Sequence, residues 1–378
     1  MASQDTATIT SHCLCKAHIF KADVPRSSLP LIASVCHCTS CRHSTGALYT
    51  SEAPWPMPAS KVDTSTLKSF AFSDTSNILF CGTCSTPIFW SFPTDPDADL
   101  IVLTGTLQND ACDLVKIERQ IFVGDTLDGG ASPWLRAPNA DGEQVKRYEG
   151  YGGELGWEWP PASALTGYEA RGQASVPVHC KCRGVDFVMH AGSYAGKGRE
   201  EVPWYVDPVT HKNVANFDAC DSCRLWSGID LFHWTFTSME HLTFKDGKPF
   251  PKDKSGLKAL VDARDPSVGT LRYYASSPDV QRYFCGNCSA SVIYAVDTRP
   301  TVIDIAVGLI GADDGARAEG FLSWDFGGRV GHRRDVEGGW REGLAERVEK
   351  ESEEWRIARG YPKCWRRVAR EKGTAVEH

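Results

Sequence analysis

Long apolar runs are missing from this 378-residue sequence. No stretch approaches the roughly 18–20 uninterrupted apolar residues that a membrane-spanning helix needs, so no membrane partner is expected. Positive charge is scarce as well. The 41 Lys and Arg stand against 48 Asp and Glu, a formal net charge of −7, which argues against a basic face for nucleic acid. The opening MASQDTATITSHCLC lacks both the basic region and the apolar core of a secretory leader. No nucleophile elbow, phosphate-binding loop or dinucleotide fingerprint is present. GYGGELG is glycine-rich, but it runs into WEWPP and not into a helix. Sustained helical periodicity is confined to the last forty or so residues. There GLAERVEKESEEWRIARG carries Leu344, Val348, Trp355 and Ile357 in a charged run, which predicts a surface helix resting weakly on the C-terminal half.

What is abundant is cysteine. Of 15 Cys, 13 fall in tight groups: Cys13/Cys15, Cys36/Cys38/Cys41, Cys81/Cys84, Cys180/Cys182, Cys220/Cys223 and Cys285/Cys288. CxC and CxxC pairs are too close in the chain to staple distant parts of a fold, and a chain this long needs no staples to bury a core. A redox dithiol would call for one CxxC in a βαβ context. Metal binding is the reading these spacings favour. Thiolate-rich sets suit zinc or iron–sulfur, and the CxxCxxC string of many iron–sulfur proteins is absent. The thiolates need a reducing compartment, so the cytosol or nucleus is expected. Cys112 and Cys364 stand alone, the first read as a small buried residue and the second as part of the tail.

The groups recur in order. SHCLCKAHIF, SVCHCTSCRHSTGALYT and SNILFCGTCSTPIFW are followed by VHCKCRGVDF, NFDACDSCRLWSGIDLF and VQRYFCGNCSASVIYAV. This points to a duplicated unit: a first domain over 8–140, a packed linker over 141–172, a second, diverged domain over 173–332 and a charged helical tail over 333–378. The second copy has longer spacings, assigned to loops near 190–212 and 240–265. Short β-branched and aromatic segments such as NILFC, TPIFWSF, VKIERQIFVG, SVIYAV and TVIDIAVG read as strands, so the fold class is mainly β.

Two knuckles far apart in sequence can converge on one zinc. Cys13, Cys15, Cys81 and Cys84 form one closed four-thiolate set, and Cys180, Cys182, Cys285 and Cys288 the other. Such closed sites are structural, with Gly82 and Gly286 supplying the tight turn. Cys36, Cys38 and Cys41 make a third set of only three thiolates. Three protein ligands leave a position for substrate, unless His37, His43 or a remote residue fills it. His37 is read as pointing away from the metal, in a hydrogen-bonding or proton-transfer role. Arg42 is read as balancing thiolate charge or holding a substrate carboxylate. In the second copy Asp218 stands where Cys36 stands, so Asp218, Cys220 and Cys223 either hold metal weakly or have lost it. Trp55, Trp226 and Trp234 are core residues or, alternatively, walls of a cleft.

At these residues the sequence resembles the glutathione-dependent formaldehyde-activating enzyme (GFA) family, which shares its domain with CENP-V. The resemblance rests on Cys13-Leu-Cys15, on Cys36-His37-Cys38-Thr-Ser-Cys41-Arg42 with Gly46, on Cys81-Gly-Thr-Cys84, and on QIFVGDTLDGGASPWL as a closing strand. It departs at Lys16 and Ser85, where glycines are usual. The resemblance implies a zinc-clamped β-tent, here in tandem, and a carbon–sulfur lyase activity with glutathione as co-substrate. The expected function is zinc-dependent lyase chemistry on a thiol adduct or carbonyl small molecule. The alternatives are a non-catalytic zinc-stabilised interaction module, and a zinc-assisted lyase, cyclase or isomerase of specialised metabolism.

Overall fold

The structure is a computed structural model, and it describes residues 5–95, 97–109 and 113–373; Cys112 lies outside them. Two large sheets dominate, and they share one strand order. In the N-terminal half, strands Val115–Ile121, Leu31–Cys36, Thr50–Pro54, Ile101–Leu103, Pro87–Ser91, Asn77–Phe80 and Lys68–Ala71 lie side by side. In the C-terminal half the same sequence of neighbours is Leu322–Trp324, Asn213–Asp218, Phe232–Ser238, Val302–Ala306, Ser291–Val296, Val280–Cys285 and Leu271–Ser277. A small antiparallel sheet built on an HCxC knuckle precedes each one. The β-branched and aromatic segments singled out above are these strands, and their side chains are largely buried.

Register carries the correspondence to single residues. Cys36 pairs with Thr50 and Ile121, and Asp218 pairs with Phe232 and Gly331. The next residues, Phe122 and His332, are both left-handed, with φ of 54° and 52°. Each leads into a 3-10 turn, and its aspartate accepts the first N–H of the half's short helix. Asp125 takes Thr39 N at 3.4 Å, and Asp335 takes Asp221 N at 2.9 Å. Those helices, α1 (Thr39–Thr45) and α2 (Asp221–Ser227), are entered through Cys38 and Cys220 and close on the left-handed Gly46 and Gly228.

The halves meet along a seam in which each takes the same part. Gly105 N donates to Gly228 O at 3.0 Å and Gly308 N to Gly46 O at 2.8 Å, while Ser85 Oγ donates to Ser289 O at 2.7 Å. Backbone packs directly on backbone there, which only glycine allows.

Several expectations change on the fold. The 240–265 stretch is not a loop: it holds strand Leu242–Phe244 and helix α3 (Lys254–Asp262), whose Leu257 and Val261 are buried. The knuckle glycines Gly82 and Gly286 lie in the tight turns, but neither takes left-handed backbone there. The left-handed residues are Lys16, Ser85, Arg183 and Ser289, each directly after the second cysteine of its knuckle, with φ between 54° and 69°. The packed linker does more than connect, because Lys146–Tyr148 and Glu154–Leu155 extend the first sheet.

The tail is a helix, α4 (Trp340–Ala358), followed by the shorter α5 (Trp365–Glu371). It is not weakly docked, nor does it rest on the second half alone. Leu344, Ala345 and Val348 are buried, and Glu351 accepts the N–H groups of Arg136 and Ala137, both at 2.7 Å. Arg341, fully buried, pairs with Asp230 of the second half at 2.7 Å and donates to Gln108 O of the first at 3.1 Å. Arg341→Ala would leave Asp230 buried without its cation, at an expected cost of about 3–5 kcal/mol. Denaturant unfolding checks it, and the double variant Asp230→Asn/Arg341→Met should recover much of the loss.

Candidate metal centres

The fold brings the knuckles together as their spacing predicts. Cys13, Cys15, Cys81 and Cys84 place their sulfurs within 4.8 Å of one another, and so do Cys180, Cys182, Cys285 and Cys288. Individual Sγ–Sγ separations are 3.5 Å for Cys13–Cys15, 3.6 Å for Cys15–Cys81, 3.6 Å for Cys180–Cys182 and 3.4 Å for Cys182–Cys285. A disulfide would need about 2.05 Å, whereas four sulfurs about 2.3 Å from a tetrahedral zinc stand about 3.8 Å apart. The donor sets therefore fit zinc.

The knuckle backbone turns inward to suit charged sulfur. Cys13 Sγ accepts His18 N–H at 3.3 Å, Cys180 Sγ accepts Val185 N–H at 3.4 Å, and Cys285 Sγ accepts Cys288 N–H at 3.4 Å. Sulfurs this crowded drive one another apart in acidity. Cys81 pushes the Cys13 thiol up, Cys180 pushes Cys288 up, and the same Cys180 draws Cys182 down. A shared cation relieves that conflict.

Cys36, Cys38 and Cys41 form the third cluster, at the junction of strand Leu31–Cys36 with α1. No fourth His, Cys, Asp or Glu ligand atom joins the three among the described residues. Cys36 and Cys41 are buried, and Cys38 is half-buried. His37 faces away: its Nε2 meets Gln120 Oε1 at 2.9 Å, and burial lowers it to about 3, so it is neutral at physiological pH. That geometry favours the hydrogen-bonding role over proton transfer. His43 turns to the other half, with Nδ1 2.7 Å from His179 O. Arg42 is buried with Nη2 on Thr39 Oγ1 at 3.2 Å, and it feels the charges of Asp128, Cys38, Asp125 and Cys41. This is the setting of a charge-balancing group.

Sequence reasoning missed two neighbours. Glu52, half-buried on strand Thr50–Pro54, lies within electrostatic reach of Cys38; burial, then that thiolate, push its carboxyl up to about 7. Thr50, Ser51 and Ala53 around it are buried, but only the fold shows this, and nothing in TSEAP marks Glu52. Tyr151, exposed and set edge-on to Phe122, senses Cys36, Glu52, Cys41 and Cys38. Nothing in GYGG marks it.

The fourth group, Asp218, Cys220 and Cys223, also gathers within 4.8 Å, but its surroundings differ. Asp218 accepts His332 Nδ1 at 2.9 Å and Trp234 Nε1 at 3.2 Å. Cys223 Sγ accepts Arg282 Nη1 at 3.3 Å. By register, Trp234 stands where Glu52 stands, and Arg282 where Ile78 stands. Trp55, Trp226 and Trp234 are all buried, so the core reading holds and the cleft-wall reading does not. Cys364 is buried too, at the entry to α5. A surface cleft of about 240 Å³ lies against Arg171, His211 and Lys212, and no sulfur cluster lines it. Among the described residues no helix is long and apolar enough to cross a membrane.

A mainly β protein with sulfur clusters fit for zinc is the class that fold and site define. More particularly, residues 8–125 match the family model of the glutathione-dependent formaldehyde-activating enzyme. No curated protein matches the chain.

Proposed function

We propose that the chain is a zinc-dependent carbon–sulfur lyase acting on the adduct of a thiol with a small carbonyl compound, with glutathione a candidate thiol. In this reading the N-terminal half bears the reaction centre, and the second half is a diverged copy of the same domain. The two four-thiolate sets hold structural zinc, and Cys36, Cys38 and Cys41 hold the reactive ion. One observation carries the reading: three sulfurs converge with no fourth protein ligand among the described residues, and one of them, that of Cys38, is only half-buried.

Zinc held there would act as a Lewis acid for a carbonyl oxygen or a thiolate. The chain's own groups do the rest. Arg42 offsets the excess charge of the sulfurs. Cleaving a hydroxyalkyl thioether breaks the C–S bond, turns the carbinol carbon into a carbonyl and frees the hydroxyl proton. We assign Glu52 to take that proton at a carboxylate oxygen and pass it to the departing thiolate, which restores the carboxylate and closes the balance. Tyr151 and Phe122 form an aromatic edge beside the site.

Cys38→Ala tests the reading. Adduct formation from glutathione and formaldehyde, followed by NMR, should fall about 100-fold or more, with zinc content lower by one ion per chain and the unfolding midpoint little moved. Unchanged exchange in a folded variant would favour the non-catalytic zinc module instead.

A further inference from the structure

The Asp218 cluster differs from its counterpart in two respects that matter for metal: a carboxylate replaces one sulfur, and a guanidinium is hydrogen-bonded directly to another. Arg282 is buried, with its Nη1 on Cys223 Sγ at 3.3 Å. Its guanidinium lies over the rings of Trp226 and Tyr294, 5.5 and 5.1 Å from the centroids, and its Nε donates to Ser276 Oγ at 3.1 Å. These contacts fix the charge in place. Asp218 is spoken for as well, since its two oxygens receive His332 and Trp234. A divalent ion would have to share Asp218 with His332 and Trp234 and sit beside a buried guanidinium, at an electrostatic cost.

With the ion's place taken, Cys220 and Cys223 are left as a vicinal pair of thiols. Cys223 is buried, and Cys220 is half-buried, two residues from Asp218, whose other partner His332 is largely exposed. We propose that Cys220 and Cys223 form a metal-free dithiol, charge-compensated by Arg282, that undergoes thiol–disulfide exchange with small aliphatic disulfides.

The exchange balances without another reactant. Cys220 attacks one sulfur of the disulfide R–S–S–R, forming a mixed disulfide and releasing RS⁻, which takes up the proton Cys220 gave up. Cys223 then attacks Cys220 Sγ and releases the second RSH. The protein pair is oxidised to Cys220–Cys223, and R–S–S–R is reduced to two RSH. Zinc in the four-sulfur clusters, as proposed above, would shield their cysteines from the same reagent.

The test uses the full, zinc-replete chain and hydroxyethyl disulfide as probe. Peptide mapping should find the Cys220–Cys223 disulfide with two mercaptoethanol released per chain and zinc content unchanged. Cys223→Ser should stop at a mixed disulfide on Cys220. Separately, Cys220→Ser/Cys223→Ser should hold as much zinc as the parent chain. One zinc ion fewer in that double variant would overturn the proposal, as would a parent chain in which the pair stays reduced while other cysteines react. Neither measurement involves Cys38, so the lyase reading and this one fail independently.

Discussion

Cys81→Ala is expected to abolish cooperative unfolding of the N-terminal half, the largest effect of any single substitution in this chain. Cys81 lies at the end of strand Asn77–Phe80, and its sulfur is buried against Cys15 at 3.6 Å. Removing it leaves three crowded sulfurs and a weakened clasp between the first hairpin and the main sheet. Structural zinc binding in small sites is worth about 10–16 kcal/mol, while whole domains are stable by about 5–15 kcal/mol. Losing most of that term therefore exceeds what the rest of the half can offset. Tryptophan fluorescence against denaturant, with a zinc count on the same sample, reads the outcome. Chelation of the parent chain should reproduce it. A Cys81→Ala chain as stable as Cys38→Ala would mean that the four-sulfur set clasps no ion.

The second large effect is expected at the seam. A Cβ on Gly105 would lie 2.2 Å from the carbonyl carbon of Gly228, and one on Gly308 would lie 2.0 Å from Ala47 O. Both obstacles are backbone, held by the helix C-caps at Gly228 and Gly46, so no side chain can swing aside. Overpacking costs typically 1–3 kcal/mol where rotamers can yield; Gly105→Ala should cost about 3 kcal/mol or more and part the halves locally. Gly343→Ala is the matched control. It lies in α4 with nothing within 4 Å of the added carbon, so it should gain about 0.5–1 kcal/mol from helix propensity. Equal midpoints for the two variants would show that the seam is loose.

The grouping of the cysteines was legible because ligand spacing is local. A CxC or CxxC knuckle presents two sulfurs to one point whatever surrounds it, and the repeated order of knuckles tells which ones meet. Strand segments were legible for a similar reason, since β-branched and aromatic runs bounded by turn residues suit one backbone state. The same local reasoning found the knuckle turn but not its left-handed residue. Gly82 and Gly286 looked like the strained positions, but the left-handed conformation falls on Ser85 and Ser289, where the chain must double back to aim the second sulfur.

The sequence alone settled which cysteines pair and that the chain is mainly β. The tertiary structure alone decided what stands beside each cluster: Glu52 at one and Trp234 at the other, Arg282 against Cys223, Arg341 bridging both halves. Those neighbours are set by cross-strand register and by the packing of remote segments, and a residue's own position in the chain carries no record of either.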